Sequence, residues 1–169
     1  MYKNLAAAVA AACFLSPISS LAAEPSPPAT KGPVKAAFVY VTPVFEAGWT
    51  HQHDEGRKAV EKALGSAVKT TVVDNVAEGA DSERVVRDLA QQGHDVIFTT
   101  SFGYMEPTLK VAKEFPNVKF ESITGYKTDV NVSVANARYY EGRYLAGVAA
   151  GRMTQSNVAG YVAGFPIPE

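Results

Sequence analysis

The chain has 169 residues, which is enough for one ordinary domain and too few for two full ones. Hydrophobic residues make up 47% and charged residues 20%, and this composition excludes a disordered tail, a collagen-like fibre and a charge-rich coiled coil. The formal net charge of -1 lacks the basic excess that a nucleic-acid partner requires. No apolar run reaches the roughly 18–20 residues that span a bilayer. The single cysteine excludes an internal disulfide.

The first 22 residues have the order of a secretory signal peptide. A short basic start precedes an apolar segment from Leu5 to about Leu15, and small residues follow as far as Ala22. We expect cleavage after Ala22, which predicts export to the periplasm. Two alternatives stay open: a buried N-terminal helix, and a lipoprotein cleaved before Cys13. Residues 23–33 are rich in proline and polar side chains and predict an extended linker.

Strand-like and helix-like segments alternate along the rest of the chain. Short apolar, β-branched runs predict strands at residues 35–41, 68–73, 95–100, 118–123, 130–135 and 158–163. Helical periodicity predicts helices at residues 47–64, 81–92, 104–115 and 139–153, the second of them capped by Asp81 or Ser82. This alternation predicts an α/β fold, a Rossmann-like parallel sheet with helices on both faces.

Ligands of such sheets bind beyond the carboxyl ends of the strands, so the loop after the first strand is a candidate site. It carries Thr42, Phe45, Glu46 and the only tryptophan, Trp49. An aromatic ring there can stack on a flat ligand, and a carboxylate can accept hydrogen bonds from N–H or O–H donors. The alternative is that Trp49 only anchors the first helix in the core.

The loop after the third strand is a second candidate, with Ser101, Phe102 and Gly103. Glycine permits close approach of the backbone, and N–H groups at a helix start can grip polar ligand atoms. An ordinary tight turn is the alternative reading of this segment. Gly125 occupies the corresponding position after the fourth strand.

The sequence carries no catalytic, metal-binding or cofactor-binding signature. Thr99 stands where the nucleophile elbow of hydrolases needs glycine. His51 and His53 are two residues apart, which on a helix directs them to nearly opposite faces, away from a shared metal. No G-x-G-x-x-G or phosphate-loop motif occurs. A secreted hydrolase that uses Ser101 or Glu46 remains the enzymatic alternative.

Four motifs in order resemble one protein family. The chain resembles the basic membrane protein (BMP), PnrA-like family of ABC transporter substrate-binding proteins from about Val34 to its end. The motifs are GWTHQHDEGRK at 48–58, FTTSFGYM at 98–105, NARYYEGRYLAG at 136–147 and GFPIPE at 164–169.

The resemblance implies a function as well as a fold. Members of the family have two Rossmann-like lobes joined by a hinge, and those with known ligands hold purine nucleosides or bases between the lobes. It implies that Trp49 stacks near the base and that Ser101, Phe102 and Gly103 line the cleft. Thr42, Glu46 and Gly125 are added from their strand-end positions. The implied partners are a purine solute and an ABC permease of the inner membrane, with the binding protein itself a monomer.

Two departures from the family pattern affect what we expect of binding. Phe45 and Glu46 stand where relatives usually have Gly-Asp, which changes the size and reach of that loop. The second departure is that the sequence matches one lobe only. We interpret residues 34–157 as the first lobe and 158–169 as the start of the crossover into a second lobe. Closure around a ligand needs both lobes, so we expect weak or no binding by one lobe.

An interaction module remains a further alternative. A repressor effector domain shares the fold, but the signal peptide argues against it.

Overall fold

The computed structural model describes residues 32–164, so the predicted signal peptide, Cys13, nearly all of the linker and residues 165–169 lie outside the described residues. Strands and helices alternate within them, as the sequence predicts. The strands are β1 (Val34–Val39), β2 (Val68–Val73), β3 (Val96–Thr99), β4 (Lys119–Ile123) and β5 (Val132–Ala135). The helices are α1 (Trp49–Leu64), α2 (Ala80–Gln91), α3 (Met105–Glu114) and α4 (Tyr139–Met153).

The five strands form one parallel sheet in the order β2-β1-β3-β4-β5. Successive residues of a strand face opposite sides, and β1 shows this directly. Ala37 and Val39 belong to the larger core cluster with α2 and α3, whereas Ala36, Phe38 and Tyr40 form a second cluster on the side of α1. The predicted α/β fold, with helices on both faces of a parallel sheet, is therefore confirmed.

The larger core lies between the sheet and the pair α2–α3. In α2, Val86, Leu89 and Ala90 recur at intervals of three and four residues and are buried in this core. In α3, Leu109 and Ala112 form the matching stripe. Burial of these apolar side chains is the main force that fixes both helices on the sheet.

A polar network joins α1 to the opposite face of the sheet. Asp54 is buried, and its Oδ1 accepts a hydrogen bond of 2.8 Å from Nε of Arg57. Its Oδ2 lies 3.0 Å from Nζ of Lys58. The hydroxyl of Tyr40 donates to Oδ1 at 3.5 Å, and Nη1 of Arg57 donates to Oγ1 of Thr70 at 3.1 Å. The network thus connects α1 with β2 and with the end of β1.

This network shifts two pKa values in opposite directions. Burial opposes ionisation of Asp54, but hydrogen bonds and positive charge from Arg57 and Lys58 outweigh it and hold the pKa of the carboxyl below its ordinary value. Burial and the negative charge of Asp54 raise the pKa of Tyr40 to about 12. At neutral pH the network therefore contains an ionised aspartate and a neutral tyrosine.

The end of β4 contains a close contact between Ser122 and Gly125. Oγ of Ser122 is buried and has no hydrogen-bond partner among residues 32–164. A Cβ added at Gly125 would lie 2.6 Å from that oxygen. With Ser122 in this position, a side chain at position 125 would therefore collide with its hydroxyl.

We predict opposite effects for alanine at these two positions. Gly125→Ala is expected to lower the free energy of unfolding by about 1–3 kcal/mol, since the methyl group has no room. Ser122→Ala is expected to leave it unchanged or to raise it by up to about 1 kcal/mol, since an unpaired hydroxyl is removed. The double variant should recover most of the loss. Urea unfolding of the four proteins measures this, and a double variant as unstable as Gly125→Ala alone would contradict it.

Two sequence predictions are wrong. Residues 158–163 form no strand, because a strand needs a neighbour for its N–H and C=O groups and no described segment pairs with them. The cap of α2 is Gly79 and neither Asp81 nor Ser82. Ser82 lies inside the helix, and its hydroxyl donates back to the carbonyl of Gly79 at 2.9 Å.

Helix α4 has the predicted bounds, but none of its residues is buried. Its apolar side chains, including Tyr144, Leu145 and Val148, are exposed. Within the part of the chain that the structure describes, no helix has the length and apolar character needed to cross a membrane.

Candidate functional site

A cavity of about 440 Å³ lies at the carboxyl edge of the sheet. The chain leaves β1 for α1 on one face and leaves the neighbouring β3 for α3 on the other face. A crevice between such strands is the usual ligand position in open α/β sheets. The segments after β1, β3 and β4 line it through Thr42, Trp49, Ser101, Phe102 and Thr124. Helix α4 adds Tyr139 and Arg143, and the segment after α4 closes one side.

Trp49 begins α1 and is held by contacts on several sides. Its Nε1–H donates a hydrogen bond of 2.7 Å to the carbonyl oxygen of Thr100, the residue that follows β3. The ring of His53 meets it edge-on with centroids 4.6 Å apart, and the ring of Tyr139 does so at 5.7 Å. Burial lowers the pKa of His53, so its imidazole is neutral at neutral pH. The indole is therefore oriented before any ligand arrives.

Ser101 follows β3 and is tied to the loop after β2. Its hydroxyl donates a hydrogen bond of 2.5 Å to Oε1 of Glu78. The turn after Ser101 contains Gly103, and a Cβ at that position would collide with the carboxyl group of Glu78. Burial, with the negative charge of Glu78 as a smaller cause, raises the pKa of Tyr104, whose hydroxyl donates to the carbonyl of Val76 at 2.6 Å. The loops after β2 and β3 are thus fixed to one another.

Thr42 lines the cavity where the chain turns after β1. Its hydroxyl donates to the carbonyl oxygen of Pro43 at 3.1 Å and lies 2.7 Å from Oγ1 of Thr50. A hydroxyl has one proton, so donation to Pro43 makes Thr50 the donor in the second contact. Both threonine protons are then used within the protein.

Thr124 lines the cavity after β4 in a backbone conformation that threonine rarely adopts. Its φ is 65°, in the left-handed region, and the residue is buried. Its N–H donates to the carbonyl oxygen of Ala135 at 2.8 Å, which holds the turn against β5. Such a conformation persists only where the surroundings impose it.

The structure brings together four of the eight residues proposed from the sequence: Thr42, Trp49, Ser101 and Phe102 line one cavity. Gly103 lies behind Ser101, against Glu78, and Gly125 packs against Ser122 beneath the turn.

The remaining two proposed residues lie in the exposed part of the loop after β1. Phe45 is 62% exposed, and its carbonyl oxygen lies 3.0 Å from Nδ1 of His51. Glu46 is also exposed, and neither side chain lines the cavity. A different carboxyl group, that of Glu78 in the loop after β2, contacts the lining residue Ser101.

Sequence reasoning missed Glu78, Thr124, Tyr139 and Arg143. Thr124 lies in the turn after a strand, and that position could have marked it. Tyr139 and Arg143 belong to α4, and the sequence pattern of this helix does not indicate which of its faces lies toward the cavity. Among residues 32–164, no group of three or more His, Cys, Asp or Glu side chains is arranged to hold a metal ion.

Solved structures that share this fold include solute-binding proteins. The chain is 25% identical to an ABC transporter solute-binding protein from Conexibacter woesei, with a TM-score of 0.59 over 70% of this chain and 40% of that one. A second, from Aeropyrum pernix, is 22% identical with a TM-score of 0.60 and covers 70% of this chain and 32% of that one. The fold of the described residues is therefore that found in solute-binding proteins of ABC transporters, and the chain covers less than half of each of these two structures.

The family follows from the sequence match. A family model described as "ABC transporter substrate-binding protein PnrA-like" matches residues 33–169, and the chain belongs to this family. It is 55% identical over 136 residues to a purine-binding protein of Brucella abortus and 46% identical over 136 residues to a putative glucose-binding protein of Haloferax volcanii. Each alignment covers 80% of this chain, which spans 39% and 34% of those two relatives.

Proposed function

We propose that this chain forms one wall of a solute-binding cleft that holds a purine nucleoside or purine base and delivers it unchanged to an ABC permease of the inner membrane. The observation that carries the proposal is the orientation of Trp49. Its N–H is bound to the backbone of Thr100, so the ring offers the cavity an aromatic surface and no competing donor. A flat heterocycle is the ligand that such a surface suits best.

The relatives support a purine over other flat solutes. The Brucella protein, which is named as purine-binding, shares more than half of the aligned residues with this chain. The Haloferax protein, named as a putative glucose-binding protein, makes a sugar the second candidate. Because the chain spans less than two fifths of either relative, we expect this wall alone to bind weakly, with a Kd of about 1 mM.

A titration followed by NMR tests the proposal at that affinity. Adenosine, guanosine, adenine and glucose are added to the isotope-labelled chain, and the single indole N–H signal and the amide of Ser101 are followed. We expect shifts at both positions with a purine and none with glucose. Shifts with glucose alone would replace the purine by the sugar, and no shift with any purine at 10 mM or so would overturn the proposal.

The same samples test the absence of catalysis. Adenosine recovered after prolonged incubation should be intact by chromatography. Release of adenine would instead favour the hydrolase alternative, with Glu78 as the base beside Ser101.

We also propose that the chain is exported to the periplasm by cleavage after Ala22 and acts as a monomer. Native mass spectrometry of the exported protein is expected to show a monomer whose sequence starts at Ala23. A chain that starts at Cys13 with an attached lipid would favour the lipoprotein alternative.

A further inference from the structure

Three polar side chains at the strand edge of the cavity, those of Trp49, Thr42 and Ser101, donate their protons to other groups of the protein. Trp49 donates its N–H to Thr100, Thr42 donates its hydroxyl proton to Pro43, and Ser101 donates its hydroxyl proton to Glu78. Each group therefore uses its donor on the protein itself. What Thr42 and Ser101 can still offer a solute is an oxygen lone pair.

Ser101 is the residue for which the direction of donation is most strongly determined. Its hydroxyl lies 2.5 Å from a carboxylate oxygen, the short distance expected of a charge-assisted hydrogen bond. An ionised carboxylate only accepts hydrogen bonds, so the proton of Ser101 must point toward Glu78. Ser101 lines the cavity, whereas Glu78 is not among its lining residues.

The surroundings of Glu78 leave room for its contact with Ser101. The carboxyl group occupies the space beside Gly103 that any other side chain would fill. The carbonyl of Val76, two residues before Glu78, accepts the hydroxyl proton of Tyr104, which fixes the loop after β2 against the start of α3. Glu78 is an exposed residue, and its carboxyl group reaches Ser101 through the space that glycine leaves at position 103.

We propose that Glu78 is a positioning residue that fixes Ser101 as a hydrogen-bond acceptor, so that the cleft selects a solute with an N–H or O–H donor against Ser101. This inference rests on the proposed function and adds a rule of specificity to it. A purine nucleoside has donors on the base, which are the amino group and, in guanosine, the ring N1–H, and donors on the ribose, which are its hydroxyls.

Analogues that lack one donor at a time distinguish these two sources. The probes are adenosine and guanosine with their analogues lacking the amino group, the 2′-hydroxyl, the 3′-hydroxyl or the 5′-hydroxyl, titrated by NMR against the full chain. One deletion is expected to weaken binding about three- to tenfold, the usual effect of one hydrogen bond. The identity of that analogue names the donor that meets Ser101.

Two variants and one control test the role of Glu78. Glu78→Ala frees the proton of Ser101, so the preference for the donor-bearing nucleoside should fall to about onefold. Ser101→Ala should remove the same preference, and adding Glu78→Ala to it should change nothing further. Glu46→Ala, an exposed glutamate of another strand-end loop, should keep the preference. Structural damage would weaken all analogues in parallel and leave their ratios unchanged.

The outcomes separate the inference from the proposed function. If the wild type binds a nucleoside but no single deletion matters, or if Glu78→Ala keeps the preference, this inference is overturned and the proposed function stands. If the wild type binds neither nucleoside nor base, the proposed function fails, and the inference fails with it.

Discussion

Asp54→Asn is expected to lower the free energy of unfolding by about 2–3 kcal/mol at neutral pH. The substitution keeps the shape of the side chain and removes its charge. Arg57, whose side chain is only 15% exposed, then loses the carboxylate that accepts from its Nε at 2.8 Å. Arg57 keeps the carboxylate of Glu61, 2.9 Å from its Nη1, as a second partner. What is lost is the charge of a buried acceptor, and hydrogen bonds to charged groups contribute about 1.5–3 kcal/mol.

Asp54 also makes the free energy of unfolding depend on pH. The pKa of Asp54 is lower in the folded chain than in the unfolded one, so the folded state binds fewer protons. The stability that this carboxylate contributes is fully present above the ordinary aspartate pKa of 3.8 and is lost as the pH falls through the folded-state value. In Asp54→Asn this part of the acid dependence should be missing.

Urea unfolding between pH 3 and pH 7 or so measures both effects. Glu55→Gln is the matched control, because Glu55 is the next residue on α1, is exposed and, among residues 32–164, forms an ion pair with Lys58 alone, at 3.0 Å. It should change stability by less than about 0.5 kcal/mol. Equal losses for the two variants, or an unchanged acid dependence in Asp54→Asn, would contradict the role assigned to the network.

Trp49→Ala is expected to weaken purine binding by roughly 5- to 150-fold, the range measured for loss of one aromatic ring that stacks on a base. The indole is fixed by Thr100, His53 and Tyr139, so little ordering remains to be done when the ligand stacks. Trp49→Phe keeps a ring but loses the hydrogen bond to Thr100, so its affinity for the purine should lie between those of the wild type and Trp49→Ala.

Phe45→Ala is the control for this prediction. Phe45 is an aromatic residue of the same loop, but it is 62% exposed and does not line the cavity. Affinity followed through the amide signal of Ser101 should be the same as in the wild type. A loss in Phe45→Ala with full binding by Trp49→Ala would show that the loop presents the other ring to the ligand. Thermal unfolding of each variant establishes that it is folded.

The regular part of the fold was predictable because its signals are local. Val68–Val73 and Tyr139–Met153 have the predicted bounds, since β-branched runs and helical periodicity depend on neighbouring residues alone. Residues 158–163 have the same strand-like pattern but form no strand. Pattern predicts preference, whereas a strand also requires a pairing partner.

The candidate site was predictable where it depends on strand ends and not where it depends on side-chain direction. Trp49 and Ser101 could be proposed because parallel strands bring their carboxyl ends to one edge. Phe45 and Glu46 share that loop, yet the course of the backbone carries them away from the cavity. Glu78 is 23 residues from Ser101, and the residues around it have no pattern that predicts this contact.

The order of the strands also has a consequence for folding. Contacts between β4 and β5, such as Phe120 with Ser133, span 13 residues, and those between β3 and β4, such as Thr99 with Glu121, span 22. Joining β1 to β3 brings together Lys35 and Asp95, which are 60 residues apart. Closing this longest loop costs about 1 kcal/mol more entropy than closing the β3–β4 loop.

The slowest association within the sheet is therefore expected at the junction of its two halves. That junction is also where the loops after β1 and β3 meet and where Trp49 reaches Thr100. The cavity at the carboxyl edge thus forms in the same step that completes the sheet. Substitutions that slow this step delay the appearance of binding without altering the affinity finally reached.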